Sequence, residues 1–201
     1  MKQILFLALS ATILFSSCSK KSNNDAQPQN TNTVTINGTD YTTVKIGTQT
    51  WTAVNYNGAG GAYYNGSTSN DAVNGMLYTV DEAKAITLPT GWRLPTSDDY
   101  TKLLTFVGSD PKKLMSKTDW ANNIGTNASG FNAFPSGDYD HDQYSDRGTD
   151  AVFLTSSTLV QYPGVPASFN IYEDQGTNDA VITDIVNTAT DRGSLRFVKD
   201  N

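Results

Sequence analysis

The chain has 201 residues, a formal net charge of −6, a single Cys and a single His, and its acidic residues are 18 Asp and only 2 Glu. One Cys excludes an intrachain disulfide and a Cys-based zinc site, one His excludes a two-His metal site, and the acidic excess excludes a nucleic-acid surface, which needs clustered Lys and Arg. Abundant Asp, Asn, Gly, Ser and Thr favour caps, turns and loops over helix interiors, so the chain is no helical bundle.

Lys2 gives the N-terminus a positive charge, and residues 4–15 form a mostly apolar run of 12 residues. A membrane span needs about 20, so the run is expected to be the core of a secretory signal. Leu14-Phe15-Ser16-Ser17-Cys18 follows. It resembles a bacterial lipobox, with Phe15 where Leu is usual. The resemblance implies that residues 1–17 are removed and that the Cys18 thiol carries diacylglycerol. An ordinary cleavage site beside an incidental Cys is the alternative. The lipid anchor is favoured because the only Cys lies where the signal requires it. Removal also takes Lys2, leaving 13 basic against 20 acidic residues, a net −7; net charge of that sign does not hold the protein to anionic lipid, and the acyl chains do the anchoring. The membrane is thus an expected partner, and the expected place is the bacterial cell envelope, at the outer membrane, with the face left open.

Residues 18–33 are expected to be the lipidated Cys and a tether. From Ser19 they carry no large apolar residue and so cannot offset their ordering entropy. Residues 34–201 have the length of a single domain. Val34-Thr35-Ile36, Asn37-Gly38 and residues 41–46 predict a hairpin, since Asn-Gly between β-prone runs is a strong turn signal. A strand over 49–55, a long loop over 56–74 and a short apolar strand over 76–78 come next. Thr79-x-x-Glu82 opens a helix over 80–86, and Thr96-x-x-Asp99 opens a second whose face is Tyr100, Leu103, Leu104 and Val107, ended by Gly108. One further turn is expected at 111–115, then loops, then strands at 152–156, 168–172, 180–186 and 195–199. Strands, two helices, then strands predict an α+β fold rather than a parallel βαβ sheet.

Six motifs have by now appeared in order: Ile46-Gly47-Thr48-Gln49-Thr50-Trp51 with Asn55; Gly75-Met76-Leu77-Tyr78; Pro89 to Thr96 with Gly91-Trp92-Arg93-Leu94-Pro95 at its centre; Asn127 to Gly137 with Ser129-Gly130-Phe131-Asn132; Arg147-Gly148 with Phe153-Leu154-Thr155-Ser156-Ser157; and Leu195-Arg196-Phe197-Val198-Lys199-Asp200. Together they resemble the Fibrobacter succinogenes major paralogous domain, a family of secreted and lipoprotein modules. That family is similar to the C-type-lectin-like fold shared with formylglycine-generating enzymes. The resemblance implies a compact α+β domain with two helices, short antiparallel strands, long loops and termini that lie near each other. The family often has Cys where this chain has Leu88 and Phe197, which implies a disulfide replaced here by an apolar contact. Leu154 stands where the family has Trp.

The densest polar feature is the segment 138–146. Asp138, Asp140, Asp142 and Asp146 stand at alternate or near-alternate positions and can converge on Ca²⁺, or can repel one another harmlessly in a solvated loop. The segment is not an EF-hand, since Gln143 and Thr149 replace the turn Gly and the bidentate Glu. Tyr139 and Tyr144 can stack on sugar rings. His141 among the carboxylates is expected to be a solvated residue rather than a general acid. Arg93 is a candidate for a ligand carboxylate, with a structural fork to a carboxylate or to carbonyls near the helix start as the stronger alternative; Arg196 is judged the same way, and Trp51 and Trp92 are expected in the core. Ser156 and Ser157 lack a His-Asp partner, and the mature domain lacks the thiols of formylglycine-generating chemistry. No catalytic residue is assigned. The expected function is non-catalytic binding of a surface glycan or protein. The alternatives are a structural or adhesive envelope subunit, or an enzyme that uses the 138–146 carboxylates.

Overall fold

Asn37 and Gly38 both take positive φ, as the tight turn between two β-prone runs requires. The computed structural model describes residues 32–66, 71–122, 124–174, 177–184 and 190–201, so the expected signal, Cys18 and nearly all of the tether lie outside the described residues. β1 (Asn32–Ile36) and β2 (Thr39–Ile46) pair antiparallel with Val34 opposite Tyr41, and both side chains point into the core. β3 (Gln49–Thr52) is shorter than expected. At its end the Ala53 N–H still donates to the Thr42 carbonyl of β2, while the Thr52 and Tyr56 N–H groups donate to the Phe197 and Leu195 carbonyls.

The long loop holds a short 3₁₀ turn (Tyr64–Gly66) and α1 (Asp71–Asn74), then β4 (Leu77–Tyr78). The two predicted helices follow as α2 (Val80–Ala85) and α3 (Ser97–Phe106), each with a complete capping box, Thr79 with Glu82 and Thr96 with Asp99. A 3₁₀ turn (Pro111–Lys113) precedes β5 (Asp138–Asp140), β6 (Gln143–Ser145), β7 (Asp150–Thr158), β8 (Pro166–Asp174), β9 (Thr177–Asp184), β10 (Gly193–Ser194) and β11 (Val198–Asp200). The fold is α+β, and its ladders are antiparallel except where β10 meets β7.

One sheet has the order β1-β2-β3-β11, a second β4-β10-β7-β8-β9, and β5 and β6 form a third of two strands. Of the strand expected over 195–199 only the end from Val198 is strand, in the first sheet, while β10 ends at Ser194 in the second. Leu195, Arg196 and Phe197 make the crossing, and each is fully buried. The core has two parts. Trp51, Tyr100, Phe131, Phe153 and Phe169 belong to one, and Tyr56, Tyr78, Leu154, Leu195 and Phe197 belong to the other, with Leu88 packed against its margin. Leu88 and Phe197 thus share a cluster, as an apolar replacement for a disulfide requires.

This topology gives the domain two distinct ends. Asn32 pairs with Thr43, Asp200 pairs with Gln49, and the Asn201 N–H donates to the Thr48 carbonyl. The start of β1 and the end of β11 therefore lie at the same end of that sheet, toward the β2–β3 turn. β7 spans the domain: its Asp150 carbonyl accepts from Gly137, and its far end meets Pro95 and Ser97 at the start of α3.

Candidate functional site

Residues 138–146 form a β-hairpin, not a loop. β5 and β6 pair with Tyr139 opposite Tyr144, Asp138 opposite Ser145 and Asp140 opposite Gln143. Its two-residue turn is His141-Asp142, both at positive φ. Such a turn normally selects Asn-Gly, so His-Asp hides it from a sequence reading. Gly137 fixes the base: its φ is +66°, and a Cβ there would lie 2.2 Å from the Ser145 carbonyl oxygen. Arg192 holds the outer side, since its backbone exchanges hydrogen bonds of 3.1 and 2.8 Å with Tyr139 while its guanidinium forks onto Glu82 of α2.

Alternation along a strand separates the chemistry onto two faces. One face is aromatic. Tyr139 and Tyr144 meet edge to face at 4.8 Å, and Tyr144 meets Tyr64 from the distant 3₁₀ turn at 5.0 Å. The Arg147 guanidinium lies 5.2 Å from the centre of the Tyr64 ring. All three rings are half-buried. Tyr64 is absent from the sequence-based site because only the fold brings it to the hairpin; Arg147 directly follows the segment, but its place over the Tyr64 ring depends on the fold.

The other face carries Asp138, Asp140 and Ser145. The Ser145 hydroxyl lies 2.8 Å from Asp138 Oδ1 and 3.2 Å from Asp140 Oδ1. It has one hydrogen and can donate to one of them. Burial, with Asp140, Asp146 and Asp150 adding like charge, pushes the Asp138 carboxyl up to about 6 against the Ser145 hydrogen bond. Asp142 and Asp146 stand exposed on the flanking turns, and His141 is exposed with Nδ1 2.9 Å from Asp140. Among the described residues no group of three or more His, Cys, Asp or Glu side chains is placed to hold a metal ion.

The raised Asp138 carboxyl makes a stability prediction with a definite sign. Its folded pKa lies above the unfolded value of about 3.9, so its favourable contribution is complete below pH ~4 and is lost as pH rises through about 6. Asp138→Asn is expected to stabilise the chain at pH 8 by ~1–3 kcal/mol and to leave it unchanged at pH 4. Thermal melts at the two pH values check this; an equal shift at both assigns the effect to packing.

Arg93 belongs elsewhere. Its guanidinium forks onto Asp99 and reaches Asp200 at 3.1 Å, and the Asp99 hydrogen bonds raise its pKa. It is the structural fork at a helix start. Arg196 is fully buried and structural, and Trp51 is fully buried. Trp92 is half-buried with Lys199 over its ring. Ser156 Oγ donates to the Pro95 carbonyl and Ser157 Oγ accepts from the Ser97 N–H, so both serines fasten β7 to α3.

The family model described as the Fibrobacter succinogenes major domain matches residues 29–163. Five of the six motifs fall inside that match and Leu195 to Asp200 lies beyond it. No curated protein and no solved structure matches the chain.

Proposed function

The chain belongs to the Fibrobacter succinogenes major domain family, and from that premise we propose that it is a lipid-anchored binding protein of the bacterial cell envelope, with a C-type-lectin-like domain that holds a neutral surface glycan. The lipobox-like segment ending at Cys18 supports the anchor and the envelope. Two helices, antiparallel sheets and chain ends that meet at one end of a sheet support the fold.

The tyrosine row carries the proposal. Tyr64, Tyr144 and Tyr139 form one continuous half-buried aromatic strip drawn from two parts of the chain. Tyrosine offers a flat apolar face to sugar C–H groups and a hydroxyl to sugar oxygens, at low entropic cost. The hairpin that carries the strip is acidic, with Asp138 and Asp140 on its other face and Asp142 and Asp146 exposed at its turns, against the Arg147 cation beside Tyr64, which disfavours uronic or sulfated glycans. Binding is favoured over turnover because the Ser156 and Ser157 hydroxyls are engaged by α3 and its lead-in, and His141 faces only Asp140.

Tyr144 contacts both other rings, so it is the residue to remove. On a glycan array probed with the detergent-solubilised full chain, neutral glycans are expected to bind. Tyr144→Ala is expected to weaken that binding at least about tenfold, given ~1–3 kcal/mol per lost stacking contact. Equal binding by parent and variant, or an array with no hit, sinks the proposal.

A further inference from the structure

Four large apolar side chains stand exposed among the described residues: Val73, Phe106, Val160 and Tyr162. Val73 lies in α1. The other three gather at the end of the domain that holds the chain termini. Phe106, 59% exposed, closes α3 and lays its ring against Gly47 in the β2–β3 turn, beside a groove of about 310 Å³. Val160 and Tyr162, 92% and 62% exposed, form the tip of the β7–β8 connection. There a turn closes over Pro163 and Gly164, with the Val165 N–H donating to the Tyr162 carbonyl. That tip abuts the start of α3, where Asp98 and Val160 line one groove. The three apolar residues therefore bracket the outer face of α3, ten residues and about 15 Å long.

Apolar side chains gathered at one exposed site call for a partner. The course of the chain indicates which one. Asn32 pairs with Thr43, three residues before Ile46 on the wall of the Phe106 groove. Fourteen residue steps separate Cys18 from Asn32, a span of at most ~50 Å. A chain rising from a lipidated Cys18 thus joins the domain at the very end that carries Phe106, Val160 and Tyr162. Lys45 and Lys102 are exposed there as well.

The geometry points to a bilayer-docking face: the domain rests on the lipid surface with the outer side of α3 and the Val160–Tyr162 tip against the headgroups. The inference rests on the lipid-anchor reading. Three side chains alone bind a bilayer weakly, but an anchor holds them at high effective concentration. The tyrosine hairpin, joined to the Asp150 end of β7, then faces away, about 25–30 Å along that nine-residue strand.

The thioether of a lipidated Cys18 is unreactive toward maleimides, so Val160→Cys or Asp142→Cys gives the full chain one labelling point. Both positions are exposed. Each lipidated, fluorophore-labelled variant is reconstituted into phosphatidylethanolamine–phosphatidylglycerol vesicles with nitroxide-bearing acyl chains, and Cys18 modification is read by mass spectrometry. The label at 160 is expected ~5–10 Å into the interface and to lose most of its fluorescence, while the label at 142 keeps its own. With Cys18 modified, equal quenching at the two positions overturns the docking face alone. An unmodified Cys18 overturns the anchor, and the docking face with it.

Discussion

Arg196→Lys is expected to destabilise the folded chain by about 3–5 kcal/mol, the scale of breaking a buried charge network, measured by denaturant unfolding of parent and variant. Arg196 crosses between the two sheets and is fully buried. Its Nε donates to Asn55 Oδ1 at 2.7 Å, Nη1 to the carbonyls of Thr52 and Phe131, and Nη2 to the carbonyl of Asn132. The guanidinium also lies 4.7 and 5.6 Å from the ring centres of Phe131 and Phe153. Four acceptors from two stretches of chain, 52–55 and 131–132, thus converge on one cation. Burial pushes its pKa down to about 9, which leaves it charged at neutral pH. Lysine keeps the charge but has three donors at a point instead of a planar fork, so it cannot reach all four acceptors or stack on the rings. Each buried acceptor left alone costs about 1–3 kcal/mol. Arg93→Lys supplies the comparison: its side chain is 37% exposed, so it is expected to cost less. Equal losses for the two variants contradict the special place of Arg196.

These two arginines show what a sequence displays and what it hides. Both stand in family motifs, where a structural fork is the stronger sequence reading and a ligand contact the alternative, and both guanidiniums are engaged within the fold. Their ranking comes from burial, which depends on where residues 52, 55, 131 and 132 fold. The capping boxes at Thr79 and Thr96 and the Asn37-Gly38 turn were legible because each is a local hydrogen-bond pattern within four residues. The 138–146 hairpin was not, because its turn uses His-Asp and its strands are too polar for an apolar alternation to register. The segment, open in sequence to a cation site or to a solvated loop, has an acidic face and an aromatic one. The crossing at 195–197 escaped for a different reason: neither a passage between sheets nor the ladder partners can be seen from five residues. Tyr64 shows the same limit at the candidate site, lying eighty residues from Tyr144 in sequence and 5.0 Å away in space.

Asp99→Asn is expected to cost about 3–5 kcal/mol at pH 7, and the cost should shrink as the pH falls below ~4. Asp99 is only 1% exposed. Its carboxylate accepts the Arg93 fork, the Thr96 N–H at 2.7 Å, the Thr96 hydroxyl at 2.8 Å and Gln49 Nε2 at 2.7 Å. Burial by itself would raise this carboxyl, but the bonds from Arg93, Thr96 and Gln49 prevail and hold it well below the usual carboxylate range. With a depressed folded pKa, its stabilisation is present above the unfolded value of about 3.9 and is lost as the pH falls toward the folded one. An amide at this position accepts through one oxygen only and turns its NH₂ toward a donor, which leaves part of the Arg93 fork or the Thr96 cap unpaired. The pH profile separates this from simple packing: Asp99→Asn should hurt most at neutral pH, whereas Asp138→Asn should help most at alkaline pH, because one carboxylate is held charged and the other is pressed toward neutrality. A pH-independent penalty for Asp99→Asn would contradict the charged fork. Asp99 and Asp138 look alike in composition; their opposite pH slopes arise because burial is outweighed at Asp99 by the bonds from Arg93, Thr96 and Gln49, and at Asp138 prevails over the single Ser145 bond.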